Sequence, residues 1–371
     1  MKFTILISSF LSLFLGCIQF KVDVLKPDLI TKIQIGSETS NLQVEVVNNV
    51  LTNLPLTIPF QSGTAYLTDT KRSIIKGFDS QGELETIIGS METPPIAGVN
   101  LSKYRFGTLG LITLDSNQNL YIQNRFGNKE GLDGTKEQDN LFKKYSGSFE
   151  TSGQSPLPSY IIKMNSRGEI KSVIGASGKN TEPFRYIEFI QATDSGKLFV
   201  YHKIAEEMRL SYYQDEELKS EIREGSLDIF KSGISNEYVI SLDKIYPQPA
   251  GEYALASISY YSKGDNRFKF RRIYKIDFDK PTQTVSIKEI QDPAEILFSV
   301  RENDEFYIWE TEDSGASVRL QVHDPEGNHI NNKRLVFTSP RGQWRETFTD
   351  GRDNIYSIRI RAGFLELHRW R

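Results

Sequence analysis

The chain has 371 residues, of which 38% are hydrophobic and 25% charged, and this ordinary globular composition excludes a mostly disordered chain. Lys and Arg number 45 against 48 Asp and Glu, a net charge of −3, so the sequence lacks the basic excess that binding to duplex nucleic acid needs. The single cysteine excludes an internal disulfide and a zinc site built from a cysteine cluster.

The first residues have the pattern of an export signal. Met1 and Lys2 form a short positive start, and residues 3–15 are an almost uninterrupted apolar run. This run is shorter than the roughly 20 residues that a membrane-spanning helix needs. The pattern therefore predicts a secretory signal peptide over residues 1–16.

The only cysteine, Cys17, follows this apolar run directly. The segment Phe14-Leu15-Gly16-Cys17 resembles the lipobox of bacterial lipoproteins, in the relaxed form typical of spirochaetes. The resemblance implies cleavage before Cys17, transfer of a diacylglycerol to its thiol and acylation of the new amine, for example with palmitate. Such anchoring is stable, and we expect a lipid-anchored protein of the cell envelope, at the outer membrane. The alternative is an ordinary cleaved signal peptide with an incidental cysteine.

A turn-plus-strand phrase recurs along the rest of the chain. Each copy has a polar turn with Asp, Asn or Gly, followed by an apolar, an aromatic and another apolar residue. Clear copies occur at 115–122, 194–200, 302–308 and 350–357, and weaker ones at 61–67 and 249–255. Their aligned strand positions are 66, 121, 199, 254, 307 and 356, which predicts a repeat with a period of about 50 residues.

A second phrase follows the first in most units, at 74–89, 160–175 and 318–328. It places an Asp/Asn-x-x-Gly turn, whose residues tolerate positive φ, between two strands of alternating polarity. Four strands per unit, repeated six times, predict an all-β, six-bladed β-propeller, with another all-β repeat as the alternative. Both phrases resemble those of the NHL-type six-bladed propellers, and the resemblance covers residues 30–371.

The chain ends predict how the ring closes. The last unit has room for three strands, and residues 31–36 look like the closing strand of other units. We therefore expect an N-terminal strand at 31–36 to complete the last blade, which removes two exposed sheet edges. Residues 17–29 would form a lipidated tether, and residues 30–371 the propeller.

Two segments interrupt the repeat. Residues 126–158 are rich in Gly, Ser, Lys, Asn and Asp and are predicted to form a long polar loop, our first candidate for partner contact. Residues 204–225 are rich in Glu and are compatible with two outer strands or with a short helix. We favour strands as far as Tyr213.

The candidate chemical groups are few. His202 follows the inner-strand aromatic of the third unit and is placed near a channel mouth. Asp115, Asp194 and Asp350 recur at equivalent turns, where carboxylates from several blades could bind calcium. The simpler interpretation is that each Asp caps its own turn by accepting backbone N–H bonds. No nucleophile elbow, zinc-protease or phosphate-loop motif is present in the sequence.

These observations favour a binding or scaffold module that acts through the faces and loops of a propeller, with a protein or glycan partner, no nucleic acid, no cofactor and no catalysis. The alternative is a calcium-dependent hydrolase of the lactonase or esterase type that uses the central channel. Lactonases and esterases both occur among six-bladed propellers, so the hydrolase alternative is implied by the family resemblance alone.

Overall fold

In the computed structural model of the protein, the chain folds almost entirely into antiparallel strands. The structure describes residues 22–47, 50–52, 58–89, 95–125, 159–175, 184–193, 195–204, 207–232, 237–337, 343–350 and 354–371. Within them, no helix has the length and apolar character needed to cross a membrane.

The strands follow one another in chain order. The N-terminal part contains β1 (Val22–Leu25), β2 (Pro27–Gln34) and a short hairpin of β3 (Glu45–Val47) and β4 (Val50–Thr52). Blade 1 contains β5 (Phe60–Gln61), β6 (Thr64–Asp69), β7 (Ile74–Phe78), β8 (Leu84–Ile88) and β9 (Asn100–Ser102), and blade 2 contains β10 (Thr108–Leu114), β11 (Leu120–Arg125), β12 (Ser159–Met164) and β13 (Ile170–Ile174). Blade 3 contains β14 (Tyr186–Ala192), β15 (Lys197–Ile204), β16 (Glu207–Gln214) and β17 (Glu217–Arg223).

The second half of the chain continues the pattern. A 3₁₀ turn (Glu224–Ser226) and a short helix, α1 (Asp228–Lys231), lead from blade 3 to blade 4, which contains β18 (Tyr238–Pro247), β19 (Tyr253–Ser262), β20 (Phe268–Asp277) and β21 (Val285–Ile290). Blade 5 contains β22 (Ile296–Val300), β23 (Phe306–Glu312), β24 (Ser317–His323) and β25 (His329–Val336), with a 3₁₀ turn at Asp313–Gly315, and blade 6 contains β26 (Gln343–Thr349), β27 (Ile355–Arg361) and β28 (Phe364–Trp370). Within each sheet, strands adjacent in sequence are also adjacent in space, and the predicted six-bladed β-propeller is confirmed.

The N-terminal strand β2 closes the ring. It pairs antiparallel with β28, from Pro27 opposite Trp370 to Gln34 opposite Phe364, and so becomes the fourth strand of blade 6. The predicted closure is confirmed, although the strand begins four residues earlier than the 31–36 segment that the sequence indicated. Closure of this kind leaves β28 without a free edge.

Part of the segment that the sequence assigns to a tether belongs to the ring. Strand β1 pairs in parallel with β25 of blade 5, starting with Val22 opposite Asn332. The next residue after β1, Lys26, exchanges two backbone hydrogen bonds with Arg371, of 2.7 and 3.1 Å. Residues 22–29 are therefore part of the ring, because their backbone groups pair with two blades. The prediction of a tether over residues 17–29 is wrong for residues 22–29.

The Glu-rich segment at 204–225 forms strands. β16 and β17 pair antiparallel as the two outer strands of blade 3. The two residues between them, Asp215 and Glu216, both have positive φ, of 51° and 63°. This is the backbone of a type I′ hairpin turn, which matches the twist of the flanking strands and so favours the hairpin over a helix.

The apolar core of the ring is divided among the interfaces between blades. Buried side chains of adjacent blades pack into separate clusters, so that Tyr66 and Ile88 of blade 1, for example, pack with Ile112 and Ile122 of blade 2. The equivalent clusters join blades 2 and 3, 3 and 4, 4 and 5, 5 and 6, and 6 and 1. Because every blade is held on both sides, the innermost strands are fixed around a central channel.

Candidate ligand-binding cavity

A cavity of about 480 Å³ occupies the centre of the ring. All six blades contribute to its lining: residues 58–61, 112–114, 188–193, 244–246, 298–300 and 347–349 come from the innermost strands or the residues just before them. These are the C-terminal parts of the innermost strands, so the cavity lies at the end of the channel where the Asp115 and Asp350 turns follow. Its volume is within the range of small-molecule sites.

Bulges in the innermost strands determine which side chains point into the channel. Blades 2 to 6 each have a register shift near the middle of the innermost strand. The inserted residue is Glu188 in blade 3, Asp243 in blade 4 and Phe298 in blade 5. A bulge changes the direction of the side chains where it interrupts the backbone hydrogen bonds between two strands. Both Glu188 and Phe298 line the cavity.

The cavity wall contains one ion pair between neighbouring blades. The Nζ atom of Lys244 donates to Oε1 of Glu188 over 2.9 Å, and the two side chains are 46% and 31% exposed. Burial lowers the pKa of Lys244, but the hydrogen bond and the charge of Glu188 outweigh it, and the pKa lies above its usual value. The Lys244 ammonium is therefore charged at neutral pH and lies beside the carboxylate of Glu188.

Next to this pair lies a group of aromatic rings. Phe189 stacks on Tyr246 with ring centroids 6.0 Å apart and an interplanar angle of 21°, and it packs at 5.6 Å against Tyr201. Burial raises the pKa of both tyrosines, so their phenols stay neutral hydrogen-bonding groups across the physiological range. The aromatic group gives the wall beside Glu188 a flat apolar surface with polar edges.

A hydroxyl group in the wall lacks a hydrogen-bond partner. The side chain of Ser299 is on the innermost strand of blade 5, is 4% exposed and lines the cavity, yet its Oγ atom has no partner in the described part of the chain. Buried polar groups are normally paired, because an unpaired one costs about 1–3 kcal/mol. The Oγ atom exposes less than 1 Å² of surface, so it is buried within the wall.

The recurring turn acids cap their own turns. Asp115 accepts hydrogen bonds from the backbone N–H groups of Asn117 and Asn119, both at 2.9 Å, from Nδ2 of Asn119 at 2.8 Å and from the hydroxyl of Tyr121 at 3.3 Å. Asp115 does not line the cavity. These contacts therefore support the simpler interpretation of Asp115, that it caps its own turn.

Asp350 repeats this arrangement at the rim of the cavity. It accepts from the backbone N–H and Nδ2 of Asn354, at 3.2 and 2.8 Å, and from the hydroxyl of Tyr356 at 3.2 Å. Unlike Asp115, Asp350 belongs to the cavity lining. The third predicted turn acid, Asp194, lies outside the described residues.

The predicted position of His202 near a channel mouth is wrong. Tyr201 lines the cavity, and because side chains alternate along a strand, His202 points to the interface with blade 2. There it is 2% exposed, packs at 4.9 Å against Phe184 and shares a 2.8 Å hydrogen bond between its Nε2 atom and Ser211 Oγ. Burial lowers the pKa of His202 to about 4, which makes it a neutral packing residue.

Two further predictions fall on parts of the chain that are not described. Cys17 and the loop at 126–158 both lie outside the described residues. The ends of that loop, Arg125 and Ser159, pair with each other at the end of blade 2 opposite to the Asp115 turn. Arg125 and Ser159 therefore lie on the side of the ring away from the cavity.

The acidic side chains around the channel are dispersed. Across the described ranges, no group of three or more His, Cys, Asp or Glu side chains could hold a metal ion. The cavity residues Glu188, Lys244 and Ser299 were not found from the sequence, because the innermost strands carry no repeated phrase.

The comparisons with known proteins do not assign a function to the chain. The chain matches no protein-family model and no curated protein. Among solved structures it is similar to a gluconolactonase from Xanthomonas campestris (10% identity, TM-score 0.38, 83% of this chain and 82% of the other) and to the major allergen of Malassezia sympodialis (10%, 0.43, 85% and 92%). It is also similar to a glucose dehydrogenase (8%, 0.44, 93% and 98%). At such identities and TM-scores these likenesses say nothing about what the chain binds or catalyses.

Proposed function

We propose that the protein is a lipid-anchored binding module of the bacterial cell envelope and that the central cavity is its ligand site. The observation that carries the proposal is the lining: the six innermost strands surround a concave space of about 480 Å³, and more than half of the lining residues are apolar or aromatic. A concave, mainly apolar pocket that also presents polar groups is the usual form of a small-molecule site.

The chemistry of the lining favours binding over catalysis. Glu188 and Lys244 are hydrogen-bonded to each other, and Asp350 is hydrogen-bonded within its own turn. General acid–base or nucleophilic catalysis needs such groups within reach of a substrate atom and poised to exchange a proton. Here Glu188 and Lys244 are held by each other, and Asp350 is held by Asn354.

The anchor and further partners remain part of the proposal. Lipidation of Cys17 would place the ring close to the membrane, because only residues 18–21 separate that cysteine from β1. We retain the prediction that residues 126–158 contact a protein or glycan partner.

The cavity can be tested with Nile red, a neutral apolar dye whose fluorescence rises in apolar surroundings. Thr349 is half-buried and lines the cavity, so Thr349→Trp fills the space with little disturbance of the packed interfaces. Thr108→Trp is the matched control, because Thr108 is an exposed residue of another innermost strand outside the cavity. We expect saturable binding that Thr349→Trp abolishes and Thr108→Trp retains. Binding that both variants retain would refute the cavity as the site.

The anchor can be tested separately in a bacterial host. Metabolic labelling with an alkyne analogue of palmitate should label the wild-type protein, and Cys17→Ser should remove the label and release the protein from the membrane fraction. Label that persists in Cys17→Ser would refute lipidation at this residue.

A further inference from the structure

We propose that the ligand of the central cavity is an organic cation, a protonated amine or a quaternary ammonium group on an apolar body. The inference deepens the proposed function and rests on it, because it names the class of molecule that the cavity takes. Its basis is the combination of an acidic mouth with a wall of aromatic side chains around one space.

The mouth of the cavity is acidic. Glu302 and Asp350 belong to the turns that follow the innermost strands of blades 5 and 6, and both line the cavity. The two turns have the same form, since each closes with a backbone hydrogen bond between residues four apart in sequence. Because blades 5 and 6 pack against each other, the two carboxylates lie on the same side of the mouth.

The charges of the lining do not cancel. Its described charged side chains are the carboxylates of Glu188, Glu302 and Asp350 and the ammonium of Lys244. Lys244 and Glu188 are paired at 2.9 Å and contribute little net charge together. Three negative charges against one positive leave the described lining with a formal charge of −2 at neutral pH. Negative charge in a cleft with low-dielectric walls attracts cations and repels anions.

Glu302 is available to a ligand at this mouth. Its side chain is exposed, and it makes no hydrogen bond or ion pair within the described part of the chain. The basic residue beside it in sequence, Arg301, is paired with Glu305 and does not line the cavity. The carboxylate of Glu302 can therefore pair with a cation that enters the mouth.

The wall suits a cation that has an apolar body. Five blades contribute aromatic rings to the lining, for example Phe60, Phe189, Tyr246, Phe298 and Phe348. The face of an aromatic ring attracts an alkylammonium group electrostatically. Burial of an apolar body against the same rings is favoured by the hydrophobic effect. A cation gains from both contributions, whereas a neutral or anionic molecule with the same body gains only from the second.

The lining carboxylates are spread around the ring. Glu188, Glu302 and Asp350 come from blades 3, 5 and 6, and in the described part of the chain no three acidic side chains are placed so that they could hold a metal ion. A metal ion needs oxygen atoms that all reach one centre, whereas an organic cation can contact carboxylates at separate places. This distribution favours an organic cation as the occupant.

Three probes with the same body and different heads test the inference. 4-Phenylbutylammonium is cationic, 4-phenyl-1-butanol neutral and 4-phenylbutanoate anionic, and each is titrated by calorimetry into the wild-type protein at pH 7. We expect the cation to bind more tightly than the alcohol, and about tenfold more tightly than the carboxylate, a difference of about 1.4 kcal/mol. Binding of the alcohol or the carboxylate that equals or exceeds that of the cation would overturn the inference.

The salt dependence of binding gives a second readout. Raising the NaCl concentration from about 0.05 M to about 0.5 M should weaken binding of 4-phenylbutylammonium, because salt screens the carboxylates of the mouth. It should not weaken binding of 4-phenyl-1-butanol, which carries no charge. An equal loss for both probes would show that charge does not determine the affinity and would overturn the inference.

Two glutamate variants test the role of the mouth. Glu302→Gln removes one charge with little change of shape and should weaken binding of 4-phenylbutylammonium about two- to fivefold, as loss of an exposed ion pair does. It should leave binding of 4-phenyl-1-butanol unchanged. Glu326→Gln is the matched control, since Glu326 is an exposed glutamate of the same blade that does not line the cavity. Equal affinity of the two variants for the cation would overturn the assignment of Glu302.

The outcomes separate this inference from the proposed function. If Thr349→Trp abolishes Nile red binding but the three probes do not bind, or bind without preference for the cation, the cavity stands as the site and the inference about the cation fails. If Thr349→Trp leaves the binding of Nile red and of all three probes unchanged, the cavity is not the ligand site and both proposals fail.

Discussion

Gly82 lies so close to Lys32 that a Cβ atom built on the glycine would come within 2.0 Å of the Lys32 carbonyl oxygen. Gly82 is in the turn between β7 and β8 of blade 1, and Lys32 is on the strand that closes blade 6. The same contact recurs between Gly327 of blade 5 and the carbonyl of Ile287 in blade 4, at 2.1 Å. The glycine of the Asp-x-x-Gly turn therefore allows one blade to pack closely against the outer strand of the preceding blade.

This contact predicts a large effect of Gly82→Ala. The new methyl group would collide with backbone in addition to the strain of a φ of +83°, so we expect a loss of at least about 3 kcal/mol in the free energy of unfolding. Gly363→Ala is the matched control, because Gly363 has a φ of +82° and open space around its Cβ position. Its loss should be about 1–2 kcal/mol. Equal losses for the two variants in urea unfolding would contradict the contact.

A buried ion pair supports the same junction. The side chains of Lys76 and Asp69 are both 0% exposed, and Lys76 Nζ donates to Asp69 Oδ2 at 3.0 Å and to the carbonyl of Asn41 at 2.5 Å. Burial lowers the pKa of Lys76 despite the partner charge. Lys76→Met would leave the Asp69 carboxylate without this ammonium, and we expect a loss of about 3 kcal/mol in urea unfolding.

The double variant Lys76→Met/Asp69→Leu provides the check on this explanation. It removes the buried carboxylate together with its ammonium partner, so it should be less destabilised than Lys76→Met alone. A double variant with the summed losses of both single variants would show that the two side chains act independently.

Acid should destabilise the fold through two buried histidines. Burial lowers the pKa of His202 and of His323 to about 4, below the value of about 6.5 in an unfolded chain. Between these values the unfolded chain binds protons that the folded chain does not, so the stabilisation is complete above pH 6.5 and falls as pH falls. The loss reaches about 3 kcal/mol per histidine by pH 4.

Urea unfolding at pH 7 and pH 4.5 measures this dependence. The double variant His202→Gln/His323→Gln lacks both titrating groups, and its stability should fall less between the two pH values than that of the wild type. A variant with the same decrease as the wild type would assign the acid sensitivity to other groups.

We expect cooperative folding to require the closing strand β2 but not β1. A chain that begins at residue 27 lacks β1, which covers the edge of β25 in blade 5, and Lys26, which pairs with Arg371. A chain that begins at residue 35 also lacks β2, so blade 6 loses its fourth strand and β28 keeps only β27 as a hydrogen-bonding partner. In thermal unfolding we expect a cooperative transition for the first chain, and none for the second, which should associate through the open edge.

Several parts of the fold could be predicted from the sequence because they depend on local chemistry. The Asp115 turn and its aromatic Tyr121 form a hydrogen-bonded unit, so the phrase that contains them repeats wherever the turn does. The fourth unit was misaligned by one residue. The turn from Gln248 to Tyr253 is one residue longer than its equivalents, and Leu255, one residue after Ala254, therefore takes the position of Tyr121.

The cavity could not be predicted in the same way. Glu188 and Lys244 are 56 residues apart, and they meet because two blades place bulged strands side by side in the channel. A bulge changes which residues of a strand face inward, and no residue type in these strands marks it. His202 was misplaced for a related reason: its distance from the repeated aromatic gives no information on which face of the blade it occupies.

The central claim is that the cavity at the centre of the ring is a ligand site. A crystal structure of the protein with bound Nile red tests it most directly. We predict that the dye lies between the innermost strands, against lining side chains such as Phe60 and Ile112. Dye bound only on the outer surface of the ring would contradict the account.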